Sequence, residues 1–417
     1  MKRRFKLLIG FLVVVMVAYL AAIDGCKNAD APTLYDPSTL PQPIVDSLAP
    51  AGGALAGIDT ITVYGKNFSP NISDDGVFFS STLVNGSLMI SASPTKLVLK
   101  APAISGDSLQ VRIYVIGAVN FSSTTIYKLI SAISPYYTLG KNEGAYGLCV
   151  GSDQGLYASL SNSTLIPPDE GIFKITSSTS STQYEKPTTG TTYWFSTKFG
   201  PDGSLYAVKG NKAVYKYAAG GGVSAVPWVQ APSGSFLDLD FDPNGNIWAV
   251  GNFVNVGTGS YAIYRITPST ATIYGFSFPG STVLQAIRFY NSYVYYAGKT
   301  GAAPSVVYRA PVVLDSLGTP ETYFDLANDP TGGNNIYAIT FSNDGDLYAG
   351  VDSTYIKIIH PNGTSSSPYS LYVSTNVLVS PVKSFAWIGT ALYATTAAGG
   401  LLKIEALKQG APYYGIQ

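Results

Sequence analysis

The sequence predicts an all-β protein in which a small β-sandwich precedes a six-bladed β-propeller. Charged residues make up only 12% of the chain, which holds 43 Gly and 31 Tyr, a composition that favours strands and tight turns. Beyond the first 26 residues, no long stretch has apolar residues at the spacing of a helix. A strand-and-turn unit recurs six times in the second part of the chain, and such a repeat predicts a ring of similar sheets.

Residues 1–26 have the layout of a secretory signal, because basic residues at positions 2, 3, 4 and 6 precede an uncharged run over residues 7–23. Ile23-Asp24-Gly25-Cys26 resembles the lipobox of bacterial lipoproteins, although Asp24 departs from that pattern. The resemblance implies that Cys26 is lipidated and anchors an exported protein to the outer membrane or cell surface. Two alternatives are an ordinary cleavage near Ala21-Ala22 and an uncleaved anchor, since 17 uncharged residues just reach the length of a membrane span.

Cleavage before Cys26 removes four of the 25 basic residues and one of the 25 acidic residues, which leaves a net charge near −3. Nucleic-acid binding is thereby disfavoured, because its affinity comes mainly from basic contacts to phosphates. Cys149 is then the one other cysteine, so no disulfide can form within the chain. Residues 27–41, with several Pro and Asp, predict an extended linker that holds the folded part off the membrane.

Short alternating runs over residues 42–129 predict the β-sandwich. Pro43-Ile44 opens the region, and Gly65-Lys66-Asn67-Phe68 follows a strand-like run. This order resembles an IPT/TIG domain, an immunoglobulin-like module with an opening Pro-x-Ile and a later Gly-x-Asn-Phe, and Ser93 to Pro102 continues the likeness. Five basic residues balance five Asp here, so we expect a spacer or interaction module and not a DNA-binding one.

Residues 130–417 carry the repeat that predicts the propeller. One phrase recurs about every 47 residues, as Leu156-Tyr157-Ala158, Leu205-Tyr206-Ala207, Ile247-Trp248-Ala249, Tyr295-Tyr296-Ala297, Leu347-Tyr348-Ala349 and Leu392-Tyr393-Ala394. A second strand-like phrase follows each copy, and Asn, Asp and Gly supply tight turns before most of them. The sequence from Phe241 to Ala249 resembles that of NHL-type and related six-bladed propellers.

The sixth unit lacks room for its last strand, because the chain ends 13 residues after Ile404. We expect either the segment Leu129 to Tyr137 or the tail Tyr413 to Ile416 to complete that blade and lock the ring.

Catalytic side chains are sparse, and we predict no catalytic residue and no cofactor. The single histidine, His360, follows a strand phrase in a turn and is interpreted as a solvated loop residue. One histidine makes a Ser-His-Asp triad improbable and excludes His-rich zinc sites. Cys149 lies on a predicted strand without an evident basic partner, which favours an inert buried thiol.

An enzyme alternative starts from Glu143-Gly144, at the opening of the first unit. Gluconolactonase-like propellers begin similarly, and the resemblance implies a divalent metal that activates water, with Glu143 and Asp240 as candidate ligands. The sequence departs from that pattern at Ala145, where Pro is usual, and at Ala158-Ser159, where an acidic residue is expected.

Aromatic side chains outside the repeat phrases provide the binding hypothesis, because Tyr and Trp stack on sugar rings at little entropic cost. The candidates are Trp228, Tyr136 and Tyr137. The main prediction is therefore a non-enzymatic protein of the cell envelope whose propeller recognises a glycan, a peptide or another envelope protein. The alternatives are a metal-dependent lactonase or lyase and a purely structural role.

Overall fold

The structure is a computed structural model that describes residues 40–166, 168–187, 193–223, 226–252, 261–278, 282–330, 332–367, 378 and 380–416. The predicted signal, Cys26 and most of the predicted linker lie outside these residues. Strands dominate the described part, in which helix is limited to three 3-10 turns, Gly86–Leu88, Leu326–Asn328 and Tyr414–Ile416. No helix of the described part has the length and apolar character needed to cross a membrane.

A two-sheet sandwich forms the first part of the molecule. Its strands are β1 Ile44–Ala49, β2 Ala54–Leu55, β3 Thr60–Lys66, β4 Asp75–Phe79, β5 Thr82–Val84, β6 Met89–Ser93, β7 Lys96–Lys100, β8 Gly106–Val115 and β9 Thr125–Ile130. One sheet has the order β1-β3-β7-β6 and the other β2-β9-β8-β4-β5. The core follows from the alternation of side chains along a strand, since Ile61 and Val63 of β3 are fully buried while Thr60 and Tyr64 on either side of them are exposed.

The second part consists of six sheets, here called blades 1 to 6. A short strand, β10 Ile133–Pro135, precedes them. Blade 1 contains β11 Glu143–Val150, β12 Leu156–Asn162, β13 Asp169–Ile175 and β14 Ser181–Lys186. Blade 2 contains β15 Ser196–Phe199, β16 Leu205–Val208, β17 Ala213–Tyr217 and β19 Pro227–Gln230, while β18 Gly222–Val223 pairs with β14 of blade 1. Blade 3 contains β20 Ser235–Phe241, β21 Ile247–Asn252, β22 Tyr261–Thr267 and β23 Thr272–Ser277.

Blades 4 to 6 follow the same plan. Blade 4 contains β24 Thr282–Tyr290, β25 Tyr293–Thr300, β26 Val306–Val313, β27 Ser316–Leu317 and β28 Glu321–Asp325. Blade 5 contains β29 Ile336–Phe341, β30 Leu347–Val351, β31 Tyr355–Ile359 and β32 Ser365–Ser366. Blade 6 contains β33 Val382–Ile388, β34 Ala391–Thr396 and β35 Leu401–Glu405.

The blades close into a ring, which confirms the predicted six-bladed propeller. The innermost strands contact one another in the order β11, β15, β20, β24, β29 and β33, and β33 contacts β11 again. The repeated Leu-Tyr-Ala phrase lies on the second strand of each blade. In β16 all of its residues are fully buried, because both faces of a blade pack against its neighbours.

Blade 6 is completed by β10, which confirms one of the two predicted segments. β10 pairs antiparallel with β35, and Ile133 lies opposite Ile404. The same junction joins the two parts of the molecule, since Leu55 and Ile58 of the sandwich pack against the core of blade 6 around Ala132 and Ile133.

The C-terminal tail, residues 407–416, crosses the face at which the innermost strands end, here called the lower face. Backbone bonds hold it to blade 5, with the Asn343 amide donating to Gln409 at 2.8 Å. The Tyr413 hydroxyl donates to the Phe199 carbonyl of blade 2 at 2.6 Å. The tail therefore spans the lower end of the axial channel, while the opposite, upper face is where the innermost strands begin.

Candidate functional site

A recurring β-bulge shapes the upper end of the channel. In five innermost strands the pairing register shifts near the start, between Ala145 and Leu148, Phe236 and Asp238, Leu284 and Ala286, Ile336 and Ala338, and Val382 and Ser384. Such bulges re-aim side chains that the ladder leaves unpaired. In each strand one residue of the bulge lines the channel, and Phe195 takes the equivalent place just before β15. We call these six residues the mouth ring: Tyr146, Phe195, Leu237, Gln285, Tyr337 and Lys383.

The mouth ring surrounds a cavity of about 440 Å³. Its deeper wall is apolar, with Ile287, Ile339 and Phe385, while Lys198 and Arg288 line both this cavity and a smaller one of about 170 Å³ beside Tyr413. The volume falls in the range of sites for small ligands, and the mixture of apolar wall and few polar groups is typical of them. All six blades contribute to the larger cavity, which we call the axial cavity.

An aromatic wall forms one side of the axial cavity. The rings of Tyr146 and Tyr193 stack with centroids 3.8 Å apart at 16°, and the Phe195 centroid lies 5.4 Å from that of Tyr193. Phe195 is 38% exposed. Gly210, at φ +75°, makes room for it, because a Cβ there would lie 2.5 Å from the Phe195 ring. This wall offers a rigid apolar surface at the mouth.

Lys383 provides a cation on another side of the mouth ring. Its Nζ lies 3.1 Å from the centre of the Tyr337 ring, in a cation–π contact. Burial lowers the pKa of Lys383 to about 8, and Asp352 opposes that shift. Among the described residues, no carboxylate forms an ion pair with Lys383. The ammonium group is therefore partly desolvated, with no anionic partner in contact among the described residues.

The two aspartates of β20 join blade 3 to blade 4. Asp238 accepts a hydrogen bond from the Ile287 amide at 2.9 Å, and Asp240 accepts one from the Phe289 amide at 2.8 Å. Asp240 also pairs with Arg288 at 2.6 Å. Burial raises the pKa of Asp238, which lines the axial cavity. These carboxylates accept hydrogen bonds from two backbone amides that would otherwise be buried without partners.

Glu143 and Asp240, the candidate metal ligands, lie in different environments. Glu143 accepts a hydrogen bond from the Gly140 amide at 2.6 Å and lines a groove of about 470 Å³ on blade 1. Asp240 is 1% exposed and bound to Arg288. Within the described ranges, no group of three or more His, Cys, Asp or Glu has an arrangement that could hold a metal ion.

The candidate aromatic ligand contacts lie away from the axial cavity. Trp228 packs on Tyr206 in blade 2, with ring centroids 5.2 Å apart. Tyr136 packs edge-on against Tyr393 at 4.7 Å. Tyr137 lines the same blade 1 groove as Glu143, and its hydroxyl lies 3.1 Å from that of Ser181. Ligand contact by these three residues stays a prediction.

His360 and Cys149 have defined places. The Nδ1 atom of His360 lies 2.8 Å from the Asp346 carboxylate and its Nε2 atom 2.9 Å from Ser366. It follows β31, as expected, but is held more firmly than a solvated loop residue. Cys149 is 2% exposed, and burial raises its pKa to about 11, which fits an inert thiol.

The mouth ring was missed by the sequence analysis, although a signal for it exists. Each member lies four residues before a large apolar residue near the end of its innermost strand. Those residues are Val150, Phe199, Phe241, Phe289, Phe341 and Trp387. Alignment of the six repeats at this offset selects the ring directly.

Comparison with known proteins supports the two-part architecture. A family model of the IPT/TIG domain matches residues 43–128, which confirms the resemblance. No curated protein matches the chain.

Solved structures share the fold at low identity. An auxiliary nutrient binding protein from Bacteroides thetaiotaomicron is 12% identical with a TM-score of 0.51, covering 89% of this chain and 98% of that one. A protein from the same organism whose name suggests a phosphatase is 13% identical with a TM-score of 0.53, at the same coverage. A gluconolactonase from Xanthomonas campestris is 11% identical with a TM-score of 0.48, covering 65% of this chain and 95% of that one. At these identities the first two similarities show a shared fold and nothing finer.

Proposed function

We propose that this chain is a non-enzymatic binding protein of the cell envelope, whose propeller takes up a small ligand in the axial cavity. The observation that supports this proposal best is the mouth ring, because six side chains, five of them from β-bulges, converge on one cavity of about 440 Å³. Its aromatic and aliphatic members supply contact area, while Gln285 and Lys383 supply polar contacts. The fold shared with a protein named for nutrient binding agrees with this role.

The envelope location rests on the sequence of the first 41 residues. In this proposal Cys26 is lipidated, the membrane is the partner of the lipid anchor, and residues 27–41 with the IPT/TIG module hold the propeller away from it. Fifteen extended residues span at most about 50 Å. Mass spectrometry of the mature N-terminus tests the anchor directly. Cys26→Ser should release the protein from the membrane fraction, and retention of that variant would contradict lipidation.

A ligand screen tests the binding function. Ligand-observed NMR with the full chain, in a detergent without a sugar headgroup, should find binders in a library of glycans and short peptides. Leu237→Trp fills the axial cavity and should abolish such binding. The matched control is Leu83→Trp, at an exposed site on the sandwich, which should leave it intact.

Two outcomes would overturn the proposal. One is a library without a binder, and the other is binding that survives Leu237→Trp. A tightly bound divalent ion that disappears in Glu143→Ala would instead favour the metal-dependent enzyme.

A further inference from the structure

We infer that the axial cavity takes a carboxylate-bearing sugar, a hexuronate, with its carboxylate against Lys383 and its ring against the Tyr146–Tyr193 wall. This inference rests on the proposed binding function and names the class of ligand. Nothing in the similarity to other folds assigns it, because it depends on the side chains of this mouth ring.

The charges in the axial cavity point to an anionic group. Arg288 is engaged with Asp240, and Asp238 accepts backbone amides, so these groups already have partners. Lys198 makes one long contact of 3.5 Å to the Leu148 carbonyl. Lys383 contacts only the Tyr337 ring among the interactions of the described residues. A ligand carboxylate at the mouth would give this ammonium a charge-assisted hydrogen bond.

The kind of anion follows from which cation of the cavity is still available, an arginine or a lysine. Bidentate binding of phosphate favours the fork of an arginine, and one guanidinium nitrogen of Arg288 is already bound to Asp240. Lysine offers a single point charge with three donors, which suits one carboxylate. The desolvation that lowers the pKa of Lys383 also strengthens its attraction to such a partner.

The remaining surface favours a sugar ring over a simple organic acid. The Tyr146 and Tyr193 rings are stacked on each other and both line the cavity, so an outer face of this stack can receive the apolar face of a pyranose. Gln285 carries both a donor and an acceptor, and the Tyr337 hydroxyl adds another of each. Ring hydroxyls need this mixture, whereas an aromatic acid would leave these polar groups unpaired.

Three small ligands test the inference, namely methyl glucuronide, methyl glucoside and benzoate. The first two differ only at the carboxylate. Ligand-observed NMR titration of the full chain, in the same detergent, should show methyl glucuronide binding about tenfold more tightly than methyl glucoside, with benzoate weaker than the glucuronide. Lys383→Met should bring the glucuronide to the level of the glucoside. Lys403→Met, on the third strand of the same blade, should leave the preference unchanged.

The outcomes separate the inference from the proposed function. Equal binding of the two sugars, a preference that survives Lys383→Met, or benzoate binding as tightly as the glucuronide would overturn the hexuronate. If the neutral sugar binds and Leu237→Trp abolishes that binding, the binding function stands and only the ligand class fails. Absence of binding by all three ligands also overturns the hexuronate, and the wider ligand screen then decides the binding function.

Discussion

The two ends of the axial channel are built from the same six strands but from different kinds of contact. At the lower end, side chains of the tail bind the blades, as Tyr413 donates to the Phe199 carbonyl of blade 2 and Lys408 pairs with Asp344 at 2.7 Å. At the upper end, the mouth ring lines open space, and five of its six members lie on β-bulges. We infer that contacts at the lower end stabilise the ring, while residues at the upper end can change with the ligand.

The largest effect on stability should come from the Asp240–Arg288 pair, since Arg288 lines both cavities of the channel. Asp240→Ala leaves Arg288 buried without its partner and removes the acceptor of the Phe289 amide, so we expect a loss of about 3 to 5 kcal/mol of unfolding free energy. Urea unfolding followed by Trp fluorescence measures it, because all four Trp lie in the propeller. Asp240→Asn keeps an acceptor and should lose less. An unchanged stability of Asp240→Ala would contradict the distinction between structural contacts inside the channel and a mouth ring that can vary.

The tail should come next. Tyr413→Ala removes a ring that lies 5.2 Å from the Arg288 guanidinium and a hydrogen bond to Phe199, and we expect a loss of about 2 to 3 kcal/mol. Tyr413→Phe isolates the hydrogen bond and should cost about 1 kcal/mol. The same unfolding measurement applies. A loss below about 0.5 kcal/mol for the Ala variant would show that the tail only lies on the lower face.

At the mouth, Lys383→Met should stabilise the protein near pH 7 by about 1 to 2 kcal/mol, because it removes a charge that burial makes unfavourable. Solvent still screens part of this charge, which keeps the gain small. The folded-state pKa of Lys383, about 8, lies below its ordinary value of 10.5, so between these values the unfolded chain binds more protons. Wild-type stability should therefore rise with pH across that window, and the difference from Lys383→Met should shrink. Asp352 and Tyr337 face this ammonium and are present in both proteins. A pH-independent difference would contradict the buried-charge explanation.

The smallest effect on stability is expected at Gln285. Its side chain lines the axial cavity from a bulge, so Gln285→Ala should change the unfolding free energy by less than about 0.5 kcal/mol. Ligand binding should weaken in the same variant, as measured by NMR titration. A large loss of stability would place Gln285 among the structural contacts and narrow the free part of the mouth ring.

The six blades were predictable because each blade needs a large buried side chain at the same position of its second strand, and the repeated phrase supplies it. Residues such as Tyr206 and Trp248 are fully buried between blades, so every copy keeps a large apolar side chain there. The mouth ring shares no residue type, so the repeat reveals it only through the position of each member relative to the end of its strand. A bulge arises from the pairing of two strands, and its residue carries no packing requirement, so Leu237, Gln285 and Lys383 stand at equivalent places without resembling one another.

The completion of blade 6 was predictable only as two alternatives, because both segments are short and partly apolar. The choice depends on geometry that the sequence does not show. Ile133 lies opposite Ile404 across the sheet, whereas Tyr413 fits beneath the channel. Ligand contact by Trp228, Tyr136 and Tyr137 was inferred from residue type alone. Residue type does not distinguish an aromatic ring that packs inside the protein from one that stacks on a ligand.

The position of β10 decides how mechanical load enters the propeller. This strand follows the sandwich after two residues and ends blade 6 as its outermost strand. Its pairing with β35 covers three residues, and backbone bonds from Tyr136 to Leu401 and from Glu405 to Ala132 extend it. A pull on the N-terminal side therefore acts on this seam, and the contact of Leu55 and Ile58 with the blade 6 core shares that load.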